Sequence, residues 1–112
     1  MLDRVLDLNA VAANPDMVPW QPFRQGVQIY VLHEEPAPGS SSALLRYAPG
    51  ADVPSHTHVG FEHIYILSGA QEDDAGHYPA GSLVINAPGT RHSVRSPMGC
   101  IALLVWQSPV RF

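Results

Sequence analysis

From residue 27 onward the chain alternates short apolar runs with turn residues. Residues 27–32 (Val-Gln-Ile-Tyr-Val-Leu) read as a strand, and the Pro- and Gly-rich residues 35–40 as the connection after it. Residues 42–47 predict a second strand, ended by Pro49-Gly50, and residues 62–67 a third, ended by Ser68-Gly69. A short acidic piece, residues 71–73, closes at Asp74-Ala75-Gly76. Residues 83–86, 92–96 and 101–107 complete the set, with turns at Pro79-Ala80-Gly81 and Pro97-Met98-Gly99. Runs of this length between turn residues are the signature of β-strands. Residues 1–19 form an N-terminal arm. Pro15 and Pro19 limit its regular structure, and Leu2, Val5, Leu6 and Leu8 support at most one helical turn. The prediction is an all-β chain of seven or eight antiparallel strands in a sandwich or small barrel. No repeat, linker or low-complexity segment divides residues 1–112, which read as one domain.

Composition narrows the picture. Hydrophobic residues make up 46% of the chain and charged residues 14%, with a net charge of −4. A domain of this length buries somewhat over ~60% of its unfolded-chain surface, enough for one core. Apolar surface left over suits a second copy, so a homodimer is expected. The cations are all arginine (Arg4, Arg24, Arg46, Arg91, Arg95 and Arg111) and form no basic stripe to attract nucleic acid. The single cysteine, Cys100, excludes an internal disulfide framework and heads an apolar run, where it reads as a small buried hydrophobe. The first residues carry acids where a signal peptide carries bases. No apolar stretch reaches transmembrane length. The expectation is a soluble cytoplasmic protein without a membrane partner.

The candidate chemistry lies at His56, His58, Glu62 and His92. Side chains of an extended chain alternate faces. Positions 56, 58 and 62 share one parity, so three ligands can enter one cavity from a strand-turn-strand. A zinc-protease helix would space its histidines four apart, and that pattern is absent. The same parity turns Ile64 and Ile66 inward as an apolar wall and His63, Tyr65 and Leu67 outward. Tyr65 and Leu67, with Trp106, Val110 and Phe112, then form a dimer contact, or lie under the second sheet or the N-terminal arm. Neutral imidazoles with one carboxylate suit a divalent ion such as Zn, Fe(II), Ni, Co, Mn or Cu. Four ligands can close a tetrahedron around Zn or leave two octahedral positions open, and the spacing does not choose between them.

These residues carry a resemblance. Gly50, His56, His58, Glu62 and Gly69 resemble the first motif of the cupin superfamily, over residues 50–69. Pro88-Gly89-Thr90-Arg91-His92 resembles the core of the second, within residues 79–92, with the usual Pro-x-Gly compressed to Pro88-Gly89. Trp20, Gly26-Val27, Leu44-Leu45-Arg46, His77 to Ser82 and Ser96 to Cys100 extend the likeness to the ChrR-like cupin group. The resemblance implies a jelly-roll barrel with one metal held by His56, His58, Glu62 and His92. It implies one of two functions. One is an Fe(II)-type dioxygenase-like oxidoreductase acting on a small oxygen-chelating substrate. The other is a Zn-binding sensing module like the cupin domain of an anti-sigma factor. That family's sigma-binding part is an N-terminal helical domain with a His/Cys zinc motif. The 49 residues before Gly50 contain no cysteine, so sigma-factor binding is not expected.

Other residues add less. Arg46 sits mid-strand among apolar residues and meets either an anion inside the barrel or a carboxylate outside it, the outer position being favoured. Phe61, Tyr30 and Tyr47 are further pocket candidates beside Ile64 and Ile66. His33, His63 and His77 each stand alone and read as surface histidines. Glu72, Asp73 and Asp74 read as a solvated hairpin tip. An apolar wall with Arg46 as the only plausible cation favours a β-diketone or hydroxylated aromatic ketone over a sugar phosphate or nucleotide. No residue is assigned a catalytic role beyond the ligands.

Overall fold

The computed structural model describes residues 4–112. Nine strands form one curled antiparallel sheet in the order β1-β2-β3-β9-β5-β8-β4, with β6 and β7 also pairing β5. They are β1 (Gln21–Arg24), β2 (Val27–Glu34), β3 (Ser41–Tyr47), β4 (Ala51–Thr57), β5 (Glu62–Asp73), β6 (Gly76–Pro79), β7 (Leu83–Asn86), β8 (Arg91–Ser96) and β9 (Cys100–Trp106). The all-β jelly-roll expectation holds. Strands over residues 27–32, 42–47, 83–86, 92–96 and 101–107 are found within a residue or two of their expected bounds. No helix among the described residues is long and apolar enough to cross a membrane.

Four strands depart from the expected runs, among them β4, which fills a stretch read only as one arm of a strand-turn-strand. Strand β1 (Gln-Pro-Phe-Arg) has no apolar run, and its proline fits because β1 is an edge strand paired only with β2. Strand β6 (Gly-His-Tyr-Pro) is built from turn-type residues and zips onto the far end of β5. Ser68-Gly69 does not end the third expected strand. A bulge lies just before it, at Leu67, and the strand runs on to Asp73 as the 12-residue β5. Gly69 holds this position because its φ is +71° and a Cβ there would run into the Gly99 carbonyl.

Strand β5 joins both layers. Its first half pairs β9 and β7, and its second half pairs β6 and, at Glu72↔Arg95, β8. The inner core takes alternate residues of the central strands: Leu45 and Tyr47, Ile64 and Ile66, Cys100, Ala102 and Leu104. A second cluster lies on the other side of the sheet. There Val11 and Val18 of the N-terminal arm cover Leu44 and Ile101, with Leu67, Leu103 and Tyr30 packed against them. The arm's helix α1 (Leu8–Ala13) is the one expected turn, capped by the Asp7 carboxylate, which accepts from Ala10 N–H at 3.1 Å. Leu67 therefore lies under the arm. Tyr30 is on that side too, away from the inner cavity.

Candidate metal centre

Strand β4 carries His56 to its end and His58 just beyond, and β8 carries His92. A bulge between Val53 and His56 brings His56 directly opposite His92 across the β4–β8 ladder. The bulge accommodates Pro54, which has no N–H to give a ladder. His58 is fixed by the loop before β8: its N–H donates to Thr90 O at 2.9 Å, and Gly89 N–H donates to His58 O at 2.8 Å. Gly89 turns with a φ of +86°, so the compressed Pro88-Gly89 still delivers His92. Glu62 opens β5 across the cavity. One ligand atom from each of His56, His58, Glu62 and His92 lies within 4.8 Å of the others. The three imidazole rings stand edge to face, with centroids 4.6, 4.7 and 5.2 Å apart.

Hydrogen bonds fix which nitrogen of each ring faces inward. His56 Nδ1–H donates to Pro54 O at 2.9 Å, and His92 Nδ1–H to the Asp73 carboxylate at 2.9 Å. Both partners can only accept. The Thr90 hydroxyl gives its proton to Ala87 O at 2.6 Å, so it accepts from His58 Nδ1–H at 2.9 Å. All three neutral rings then carry a lone pair on Nε2, the tautomer set of metal-binding histidines. His58 Nε2 and His92 Nε2 are buried without a hydrogen-bond partner. His58 Nε2 stands 3.1 Å from Glu62 Oε1. A lone pair facing a carboxylate oxygen is repulsive. A cation between them, proton or metal ion, makes the contact favourable. The buried His/Glu cluster is compatible with a divalent metal.

Glu62 is itself supported. Its Oε2 accepts from Trp106 Nε1–H at 2.6 Å and its Oε1 from Asn86 Nδ2–H at 3.0 Å. Burial pushes the Glu62 carboxyl up, but a proton on His58 Nε2 together with these two donors outweighs it and holds it below the usual carboxylate range. Burial also holds the His56 imidazole below its ordinary value, against the pull of the Pro54 carbonyl. Asp73 accepts from His92 on one oxygen and from Tyr78 O–H at 2.7 Å, Ala75 N–H and Gly76 N–H on the other. Burial raises the Asp73 carboxyl, and these donors win and depress it. Donating that hydrogen bond to Asp73 pushes the Tyr78 hydroxyl up to about 12.

The cavity in front of the cluster is small, about 70 Å³. Pockets for drug-sized ligands run to roughly 300–1,000 Å³. Its wall includes Ile64, Leu45, Val53, Leu104 and Tyr47, and its mouth Phe23, Arg24, Val110 and Phe112. A larger depression of about 790 Å³ lies on the other side of Tyr47, around Pro22, Arg46 and Met98, and holds none of the four clustered residues.

Several expected positions are corrected. Arg46 is outside the cavity: it faces the arm and pairs with Asp16 at 3.0 Å, the outer alternative. Phe61 is exposed, because it sits in the turn before β5 rather than on an inward strand position. Ile64 and Ile66 point inward as expected, at 2% and 0% exposure, though only Ile64 reaches the cavity. Trp106 does not belong to an outer dimer face. It lies opposite Glu62 in the β5–β9 register and shares its inward side. Val110 and Phe112 are held over the cavity by paired hydrogen bonds between Thr57 and Arg111, at 2.7 and 2.9 Å. Asp73 is buried, while its neighbour Asp74 is fully solvated. The bulge at Leu67 explains this, since it reverses which parity of β5 faces in. Asp73, Asn86, Thr90 and Trp106 were not legible as site residues, because each depends on register or on that bulge. His33, His63 and His77 are on the surface.

The family model described as the ChrR cupin-like domain matches residues 8–111. Among curated proteins the chain is similar to DddL of Cereibacter sphaeroides, a candidate dimethylsulfoniopropionate lyase. The two are 36% identical over 69 residues, covering 56% of this chain and 29% of the relative. The chain thus spans under a third of that relative's length. The structure is similar to an acetylacetone dioxygenase from Acinetobacter johnsonii, with a TM-score of 0.78, 20% identity, and coverage of 100% of this chain and 76% of that one. It is also similar to a chain from the complex of Rhodobacter sphaeroides SigE with the anti-sigma ChrR. There the TM-score is 0.70 at 27% identity, over 80% of this chain and 48% of that one.

Proposed function

This chain belongs to the ChrR cupin-like domain family, and from that premise we propose that it is a metalloenzyme holding one divalent ion at His56, His58, Glu62 and His92. The observation that supports it most is the set of three Nε2 lone pairs, fixed in tautomer and turned toward one carboxylate. Bound there, the ion would serve as Lewis acid and template and, if it is Fe(II), as a redox centre. The chain's own residues do the rest. Trp106 and Asn86 hold Glu62 ionised and aimed, and Asp73 holds His92. Leu45, Val53, Ile64 and Leu104 keep bulk water from the cavity. A small substrate that chelates through oxygen fits this space, and a dioxygenase-like oxidation is the reading we favour. In support, a protein sharing the fold over the whole chain is an acetylacetone dioxygenase.

A second reading is a Zn-binding sensing module, favoured by the 27% identity to a chain of the SigE–ChrR complex. Two measurements separate them. Anaerobically purified protein should contain about one metal per chain by elemental analysis, and His92→Ala should lose most of it. The Fe(II)-loaded protein should consume O₂ with a β-diketone, and the Zn-loaded protein should not, because Zn has no accessible redox step. Stoichiometric tight Zn binding with no O₂ uptake across a broad panel of diketones and keto acids transfers the assignment to the sensor. Full metal occupancy in His92→Ala removes the four-ligand site.

We also read the protein as a cytoplasmic homodimer. Tyr65 and Leu83 lie side by side on the outer face of β5 and β7, as do His63, Ile85 and Val105, and all are exposed. Strand β7 pairs only β5, so its other edge is open among the described residues. A single buried cysteine without a disulfide suits a reducing compartment.

A further inference from the structure

One cation reaches the cavity, and it is not the expected one. Among the residues lining the space in front of the cluster, Arg24 is the sole lysine or arginine and Glu62 the sole carboxylate. Arg24 ends β1, and its guanidinium lies 4.8 Å from the centre of the Phe112 ring. That ring is in turn 5.5 Å from the His56 ring. Among the described residues Arg46 and Arg95 pair with carboxylates, whereas Arg24 pairs with none. Stacking on an aromatic face holds a guanidinium flat and leaves its N–H edges open for a planar oxyanion.

Charge arithmetic gives the same direction. Three neutral imidazoles, the Glu62 carboxylate and a divalent ion leave the centre at about +1. The Asp73 carboxylate behind His92 offsets that charge, and Arg24 then leaves the site at about +1 behind a wall that is mostly apolar. An uncompensated positive charge in a poorly hydrated cavity favours an anionic occupant.

We propose that the occupant of this cavity is a small organic anion: a carboxylate on a short apolar body, with at least one further oxygen. Arg24 receives the carboxylate at the mouth, and the further oxygen faces the His/Glu cluster. This rests on the metal reading above and narrows its substrate class. A neutral β-diketone would leave Arg24 without a partner, whereas a β-keto acid of the same length would satisfy it. Arg24 is thus a specificity residue.

The test uses two probes that differ by one group, acetoacetate and acetylacetone. Each is titrated anaerobically into Co(II)-loaded protein, and binding is followed by the visible Co(II) spectrum. The unmodified protein should bind acetoacetate more tightly than acetylacetone. Arg24→Met should weaken acetoacetate roughly 10- to 100-fold, the cost of a lost charge-assisted bond pair. It should leave acetylacetone and Co(II) affinity within about twofold. Arg24→Lys should recover part of the loss, as a point charge without the fork. Equal acetoacetate affinity in Arg24→Met and unmodified protein overturns this proposal while leaving the metal site standing. So does tighter binding of acetylacetone by the unmodified protein. Failure to take up Co(II) at all overturns both readings.

Discussion

The nitrogen of His58 that faces Glu62 has no proton to give, because that proton is already committed to Thr90. The metal-free site is therefore strained electrostatically, and an ion that binds only the folded protein should stabilise it. The three rings are not equivalent. His56 leans on a carbonyl, His58 on a hydroxyl and His92 on the charged Asp73 carboxylate. Support from such partners is worth about 10- to 100-fold in metal affinity. Asp73→Asn should weaken metal binding by about that much, and Tyr78→Phe by less. A competitive chelator titration of correctly folded variants checks both.

Acid should act in two stages on the metal-free protein. His56 is held below its ordinary value, so the unfolded chain takes up a proton first, and stability falls as the pH drops below about 6.5. Glu62 and Asp73 are depressed carboxyls. Their contribution is present above the ordinary carboxylate value of about 4 and disappears as the pH falls through their folded values. Urea midpoints measured between pH 7.5 and 3 should decline in both windows. Asp73→Asn should flatten the lower one. Bound metal should be released over the same acid range, since protons compete for the same nitrogens.

At the level of elements, the two bulges organise the site. The one before His56 aligns it with His92, and the one at Leu67 redirects the second half of β5. The parity of His56, His58, Glu62, Ile64 and Ile66 was legible because each stretch lies on one side of a bulge. Asp73 was not, since an irregularity six residues upstream is invisible to a period-two count. Trp106 and Asn86 were illegible for another reason: cross-strand register sets them against Glu62, and register is a property of the folded sheet. Arg46 and Arg24 look alike in sequence, and only the position of the arm and of Phe112 separates their roles. The Gly69 turn offers a direct test. Gly69→Ala puts a Cβ against the Gly99 carbonyl at positive φ. It should cost about 1–3 kcal/mol, read as a lower thermal midpoint. An unchanged midpoint would mean that the bulge relaxes freely.

On the scale of the whole molecule, the N-terminal arm and the open sheet face divide the outer surface. The arm covers Leu44, Ile101 and Leu67, and the exposed Tyr65, Leu83, Ile85 and Val105 form an apolar patch across β5, β7 and β9. A double change, Tyr65→Glu with Leu83→Glu, should convert a dimer to monomer without altering metal content. Light scattering at micromolar concentration reads the outcome, and unmodified protein that is already monomeric refutes the dimer. Strand β5 has a wider consequence. It supplies Glu62 at one end and, at the other, the Asp73 carboxylate behind His92. The 12 residues of that strand act as a ruler between two parts of one coordination sphere. Removing or adding a single residue near position 67 would leave all four ligands in the sequence, yet would withdraw the buttress from one of them. Engineering this protein by recombination should therefore place its crossovers outside this strand, however well the four-residue signature is preserved.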